Sequence, residues 1–163
     1  MMLPDVTWQN VLEDWAHVVH PFVQAVIDNG MFPRDDPWCF EYRGLDNRLQ
    51  QASLQEIDAF LPDLPFGSTG SGISVLKPEA SLWLLPVLLR FGSVSEDSTY
   101  ATSVVDVLRQ KICRLETWPE IKSRLSDSTR TSICEIALEC CKLGWQDERR
   151  VAKRGAECRI ILV

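Results

Sequence analysis

The feature that most constrains the fold is an apolar stretch near the middle of the chain, at residues 82–91 (LWLLPVLLRF). At about ten residues it is too short to cross a bilayer, and its length suits a buried helix. Pro78 fits the first turn of that helix, and Gly92 fits its C-terminal cap. Pro86 removes one backbone hydrogen bond, so we expect a bend there.

The N-terminal segment has the pattern of an amphipathic helix. Asp5 is positioned to cap it, and the proline of His20-Pro21 is expected to end or kink it. A second helical segment, 22–28, stops at Asn29-Gly30. The apolar positions of the first helix follow the i, i+3, i+4, i+7 spacing: Trp8, Val11, Leu12, Trp15, Val18 and Val19.

Capping signals predict further helices along the chain. Ser53 and Glu56 form a capping box that opens a short helix through Leu61. Ser95 or Ser98 is expected to cap the next helix.

Helix signals continue to the end of the chain. Thr117 and Glu120 have the spacing of a second capping box. Asp127 or Ser128 is expected to start the last strong helix, which Gly144 ends. A charged helical segment is predicted at 146–156, and a final strand at 159–163 that pairs with 38–42.

The predicted fold is mainly α: a single compact helical domain over residues 1–163 with at most a short two-stranded β element.

The charge distribution divides the chain. Residues 1–108 contain 15 acidic and 5 basic residues, for a net charge of −10, whereas residues 109–163 contain 8 acidic and 12 basic residues, for +4. The acidic part favours steering toward a basic partner, or simple solubility. The overall negative charge disfavours a nucleic-acid ligand, although the basic C-terminal segment leaves that alternative open.

The six cysteines do not form a metal or redox motif. They lie at 39, 113, 134, 140, 141 and 158 with no C-x-x-C spacing, and most have apolar or helical surroundings. The first residues carry acids and do not have the pattern of a secretory signal. We therefore expect reduced thiols in a cytoplasmic protein that does not associate with a membrane.

Three groups of residues could form chemical sites, but a purely structural role explains each of them better. Asp14, His17 and His20 share a helical face but lack a further ligand cluster, and Cys140-Cys141 has no histidine nearby in sequence. The glycine-rich segment 67–72 lacks the Gly-Lys-Ser/Thr of a phosphate loop. No catalytic residue, metal ligand or cofactor is assigned, and we expect that the protein is not an enzyme.

Acidic residues next to a large aromatic ring are the best candidates for partner contacts. Such a combination suits a protein interface, although an acidic surface loop without a partner is the common alternative. The candidate contact residues are Asp35, Asp36, Trp38, Glu41, Glu96 and Asp97.

The second half of the chain, about residues 78–143, resembles small acidic helical bacterial proteins of the immunity-protein type. The matching features are WLLPVLLRF at 83–91, SVSEDS at 93–98, W-x-x-I at 118–121 and LSDSTRTSICEIAL at 125–138. The resemblance implies a cytoplasmic protein that binds a cognate toxin or effector, here a basic one, and neutralises it by stoichiometric occlusion. The alternative is an adaptor or anti-defence inhibitor whose acidic surface mimics nucleic acid.

Overall fold

Helices make up nearly all of the chain that the computed structural model describes, residues 5–33, 42–63 and 71–163. No strand occurs within these ranges, which confirms a mainly α, single compact helical domain. None of the helices in the described ranges is both long and apolar enough to span a membrane. The helices are α1 Asp5–Asn29, α2 Arg43–Gln51, α3 Leu54–Phe60, α4 Ser71–Ser74, α5 Pro78–Val94, α6 Ser98–Gln110, α7 Trp118–Arg124, α8 Asp127–Gly144 and α9 Glu148–Leu162.

Helix α5 is the centre of the molecule. Every residue from 80 to 89 is buried, as expected for a helix that is apolar on all sides. Helices α1, α6 and α8 pack around it. Pro78 lies in its first turn and Pro86 lies inside it, both as predicted.

Helix α1 runs antiparallel to α5. The Trp15 indole N–H, near the middle of α1, donates to the carbonyl of Leu82 in the N-terminal half of α5 over 3.1 Å. The Arg90 guanidinium lies 4.8 Å from the Trp8 ring near one end of the pair. At the other end, Lys77 Nζ donates to the carbonyl of Gly30 over 2.9 Å.

Of the two outcomes predicted at His20-Pro21, an end or a kink of the first helix, the end is wrong, because α1 continues through Pro21 to Asn29. Pro21 is exposed, whereas Val23 and Ile27 continue the buried stripe of the helix. Burial of that stripe outweighs one missing backbone hydrogen bond. The predicted stop at Asn29-Gly30 is confirmed: Gly30 has φ 117°, a conformation that glycine adopts without strain.

The predicted final strand at 159–163 is also wrong, because residues 159–162 belong to α9. Cys158 and Leu162 are buried four positions apart, which is helical periodicity. Of the proposed partner strand, residues 38–41 lie outside the described residues, and Tyr42 precedes α2 as its N-cap residue. The strand was predicted because residues 160–163 are consecutively apolar, and a short apolar run does not distinguish a strand from a buried helix.

The predicted capping residues are only partly correct. The box of Ser53 and Glu56 forms, with both hydrogen bonds present. The box predicted at Thr117 does not, since Thr117 has helical backbone angles and makes no capping bond. Asp97 caps α6 in place of Ser95 or Ser98. Helix α8 begins at Asp127, one of its two predicted first residues, and Ser126 caps it.

The two glycines that were predicted to end helices have different outcomes. Gly92 does not end α5, which continues to Val94. It instead permits close packing, because a Cβ there would lie 3.2 Å from the Cys140 sulfur and 3.4 Å from the Tyr100 ring. Gly144 is the last residue of α8, as predicted.

Candidate functional site

Four of the six predicted contact residues, Asp35, Asp36, Trp38 and Glu41, lie outside the described residues. The residues on either side of that segment contact one another. The rings of Phe32 and Tyr42 stack with their centroids 5.0 Å apart. Asp46 accepts hydrogen bonds from the backbone N–H groups of Met31 (2.8 Å) and Phe32 (3.3 Å), which attaches α2 to the end of α1.

The other two predicted residues, Glu96 and Asp97, lie far from those flanking residues. The backbone N–H of Lys77 bonds to the carbonyl of Met31, so the flanks lie at the N-terminal end of α5. Glu96 and Asp97 follow its C-terminal end, and a helix of 17 residues is about 25 Å long. The structure thus places Glu96 and Asp97 at the opposite end of the bundle from Phe32 and Tyr42.

Glu96 and Asp97 also differ in what their carboxylates do. One oxygen of Asp97 accepts from the N–H groups of Thr99 (2.9 Å) and Tyr100 (3.4 Å), so this side chain caps α6. Glu96 is exposed. Asp97 is therefore a structural residue, whereas Glu96 is accessible to a partner.

Exposed apolar side chains lie at the same end as Glu96. Val94 is 54% exposed and Leu143, near the end of α8, is 42% exposed. The hydroxyl of Thr102 bonds to the carbonyl of Gly144 over 3.3 Å, which holds the first turns of α6 against the end of α8. We call Val94, Glu96 and Leu143, three exposed residues at this end of the bundle, the Glu96 patch; they provide two apolar side chains and one negative charge.

Charges of both signs lie at this end of the bundle. Asp147 and Glu148 begin α9 beside the end of α8, and Asp147 caps α9 by accepting from the N–H of Arg149 over 2.9 Å. Lys142 pairs with Glu139 over 3.1 Å on the surface of α8. A mixed rim of this kind can set the orientation of a protein partner.

The histidines do not form a catalytic or metal-binding group with Asp14. Asp14 accepts from the backbone N–H of Ser126 over 3.1 Å and so attaches α1 to the start of α8. His20 packs edge-on against Trp83, with centroids 5.5 Å apart, and His17 is exposed. Among the described residues, no group of three or more His, Cys, Asp or Glu side chains is arranged to hold a metal ion.

The adjacent residues Cys140 and Cys141 have different environments. Cys140 donates to the carbonyl of Leu89 over 3.2 Å, and burial raises the pKa of its thiol. Cys141 faces the other way, with its sulfur 3.8 Å from that of Cys158 on α9. The two neighbours therefore do not act together as a reactive pair.

A second apolar surface lies between α8 and α9. A groove of about 550 Å³ runs past Leu138 and Ile160, and Ile160 is 76% exposed. Glu135 and Arg159 lie on its walls. Of the Glu96 patch only Glu96 was predicted. The groove and the exposure of Val94, Leu143 and Ile160 were not predicted, because packing decides which apolar side chains of a helix face outward.

The glycine-rich segment and the basic C-terminal segment were also considered as possible sites in the sequence. Of the glycine-rich segment 67–72, residues 67–70 lie outside the described residues, and 71–74 form the short helix α4. In the basic C-terminal segment, Arg154 pairs with Glu157 over 3.2 Å, whereas Arg149, Arg150 and Lys153 are exposed.

Comparison with protein-family models, with curated proteins and with solved structures finds no match to this chain.

Proposed function

We propose that the protein is a cytoplasmic inhibitor of the immunity type, which binds a basic toxin or effector and neutralises it by stoichiometric occlusion. The observation that carries this proposal is the Glu96 patch, where an exposed carboxylate lies at the same end of the bundle as exposed Val94 and Leu143. The negative charge of residues 1–108 and the acidic segment with Asp35, Asp36, Trp38 and Glu41 support the same interpretation.

The two components of the patch have separate roles in binding. Burial of the exposed parts of Val94 and Leu143 stabilises a complex by about 1 kcal/mol each. The charge of Glu96 acts earlier, by attracting a basic partner during diffusion. Asp97 contributes through the position of α6 rather than by contact, because its carboxylate caps that helix.

The first experiment is a tagged pull-down from lysate of the source cells at low and moderate salt, read by mass spectrometry. The expected result is one basic chain bound in a 1:1 ratio that is toxic when it is expressed alone and harmless when it is expressed with this protein. A captured chain whose toxicity is unaffected by co-expression would contradict the proposal. A non-toxic captured chain that duplex DNA displaces would instead indicate an adaptor with a nucleic-acid-like surface.

Charge reversal tests the proposed surface. Glu96→Lys is expected to slow association with the captured chain about tenfold at low salt and to flatten its salt dependence. Glu116→Lys is the matched control, because Glu116 is also exposed but lies beyond the far end of α6. Equal rates for the two variants would remove the Glu96 patch from the interface.

The acidic segment is tested in the same way. Reversal of both Asp35 and Asp36 to lysine is expected to slow association and to weaken its dependence on salt. Unchanged rates would exclude this segment from the interface and leave the Glu96 patch as the proposed contact.

A further inference from the structure

Two buried thiols on neighbouring helices lie close enough to react with each other. The sulfur atoms of Cys141 on α8 and Cys158 on α9 are 3.8 Å apart, and both residues are completely buried. A disulfide requires a sulfur separation of about 2.05 Å, so a combined movement of about 2 Å brings them together. Such a movement requires side-chain rotation and a shift of α9 against α8.

A cleft lies beside Cys141, but both thiols are completely buried, so an oxidant in the cleft reaches Cys141 only when α8 and α9 move slightly apart. The cleft has a volume of about 410 Å³ and lies between α8 and α9, with Cys141, Lys142, Val151 and Gly155 among its lining residues. Hydrogen peroxide is little larger than water and fits this space. Cys141 is therefore the first of the two thiols that an oxidant meets.

The charges around Cys141 favour its reactive form. A hydrogen bond from Cys158 lowers the pKa of the Cys141 thiol below its ordinary value. The positive charges of Arg154 and Arg109 act in the same direction, against burial and the negative charge of Glu157, which raise it. The same hydrogen bond, together with burial, raises the pKa of Cys158, so Cys158 keeps its proton and acts second.

We propose that Cys141 and Cys158 are a site of reversible oxidation that forms a disulfide between α8 and α9 when the protein meets a hydroperoxide. The Cys141 thiolate attacks one oxygen of hydrogen peroxide, the O–O bond breaks and a sulfenic acid forms. The departing hydroxide takes up the proton that Cys141 lost, which gives one water. The Cys158 sulfur then attacks the sulfenic sulfur: the S–S bond forms, the S–O bond breaks, and the hydroxyl leaves with the Cys158 proton as a second water.

The electrons balance in this sequence. The two thiols together lose two electrons, and these reduce one peroxide to two waters. A dithiol reductant reverses the reaction by thiol–disulfide exchange. The bond would join residues 17 positions apart and fasten α9 to α8, so it constrains the unfolded chain.

The other described thiols provide controls within the same chain. Cys140 is adjacent in sequence but bonds to the Leu89 carbonyl on the opposite side of α8. Cys113 is exposed and tests for unspecific oxidation. Cys134 lies one heptad before Cys141 on α8 and is the alternative partner for Cys158.

The test is oxidation of the full chain with a small excess of hydrogen peroxide, then alkylation, trypsin digestion and mass spectrometry. Cleavage at Arg130 and Lys142 releases peptide 131–142, and cleavage at Arg154 and Arg159 releases peptide 155–159 with Cys158. The expected product is these two peptides joined and lighter by two hydrogens. Because peptide 131–142 also holds Cys134 and Cys140, the experiment is repeated on Cys134→Ser and Cys140→Ser, which are expected to keep the link.

Stability provides an independent readout. The oxidised wild-type chain is expected to melt about 5–10 °C above the reduced one, and dithiothreitol should return the melting temperature to its starting value. Cys158→Ser should remove both the link and the shift, and circular dichroism establishes that this variant is folded. A link through Cys134, a link between two chains, or a folded wild-type chain that forms no link would each overturn the proposal.

Discussion

The carboxylates of Glu96 and Asp97 are adjacent in sequence and have different surroundings. Asp97 accepts two backbone hydrogen bonds at the start of α6, whereas Glu96 is exposed beside Val94. Asp97→Ala is expected to lower the free energy of unfolding by about 1 kcal/mol, the usual effect of a lost N-cap. Glu96→Ala should leave it unchanged within about 0.5 kcal/mol. Urea denaturation of both variants measures the difference, and equal losses would show that Asp97 is not the effective cap.

A pH dependence is expected from Glu157, which joins α9 to α6. Burial alone would raise the pKa of this carboxyl, but the hydrogen bonds and positive charges of Arg109 and Arg154 lower it below the ordinary value. A folded-state pKa below the unfolded value of about 4.3 stabilises the protein fully above about pH 5. That contribution is lost as the pH falls through the folded-state pKa.

Glu157→Gln isolates this contribution. At pH 7 the variant is expected to be less stable than wild type by about 1 kcal/mol, and the gap should narrow when unfolding is measured near pH 3. Glu116→Gln, at an exposed position, should match wild type at both values. A gap for Glu157→Gln that stays constant between pH 7 and pH 3 would mean that packing, not the ionised pair, accounts for the loss.

At the scale of helices, the contact between α6 and α8 depends on the lack of a side chain at Gly144. A Cβ there would lie 2.9 Å from the Thr102 hydroxyl oxygen and 3.3 Å from the Thr102 backbone nitrogen. Gly144→Ala is therefore expected to destabilise the protein by about 1–3 kcal/mol, through displacement of one helix end.

Gly44→Ala is the control for that substitution, because no atom lies within 4 Å of its added Cβ. In helix α2 it should stabilise the protein by about 0.5 kcal/mol through the better helix propensity of alanine. Thermal unfolding of the two variants compares them directly. Destabilisation by both would point to a general effect of the added methyl group rather than to the contact with Thr102.

The helices were predictable where a local pattern and the tertiary packing agree. The box of Ser53 and Glu56 and the stop at Gly30 depend on neighbouring residues only, and both are confirmed. Pro21 and the last residues of α9 were mispredicted because burial against the core, which a local pattern does not contain, outweighed a backbone preference.

The candidate site was less predictable than the fold. Val94 and Leu143 are exposed because the neighbouring helices cover the other faces of α5 and α8. A local sequence pattern does not specify which faces are covered. The pairing of Cys141 with Cys158 likewise depends on how α9 folds back on α8. Glu96 could be predicted because acidic residues in a turn are exposed in most folds.

At the scale of the molecule, buried tryptophans connect elements that are distant in the sequence. The rings of Trp15 on α1 and Trp118 on α7 lie with centroids 6.2 Å apart. Trp15 donates to the carbonyl of Leu82 on α5, and Trp118 donates to that of Ile161 on α9 over 3.1 Å. These contacts tie the beginning, middle and end of the described chain to one core, so its helices depend on one another for stability.

Unfolding of the whole chain is therefore expected to be one cooperative transition. Tryptophan fluorescence reports on all six tryptophans, among them Trp15 and Trp118 in the core, and far-ultraviolet circular dichroism reports on all helices, so the two urea curves should coincide. Trp118→Phe removes the hydrogen bond to Ile161 and part of a buried ring. It should lower the free energy of unfolding by about 1–2 kcal/mol and move both urea midpoints down together. If the fluorescence midpoint of the variant moved while the dichroism midpoint did not, the helices would not share one core and residues 1–163 would not unfold as a single domain.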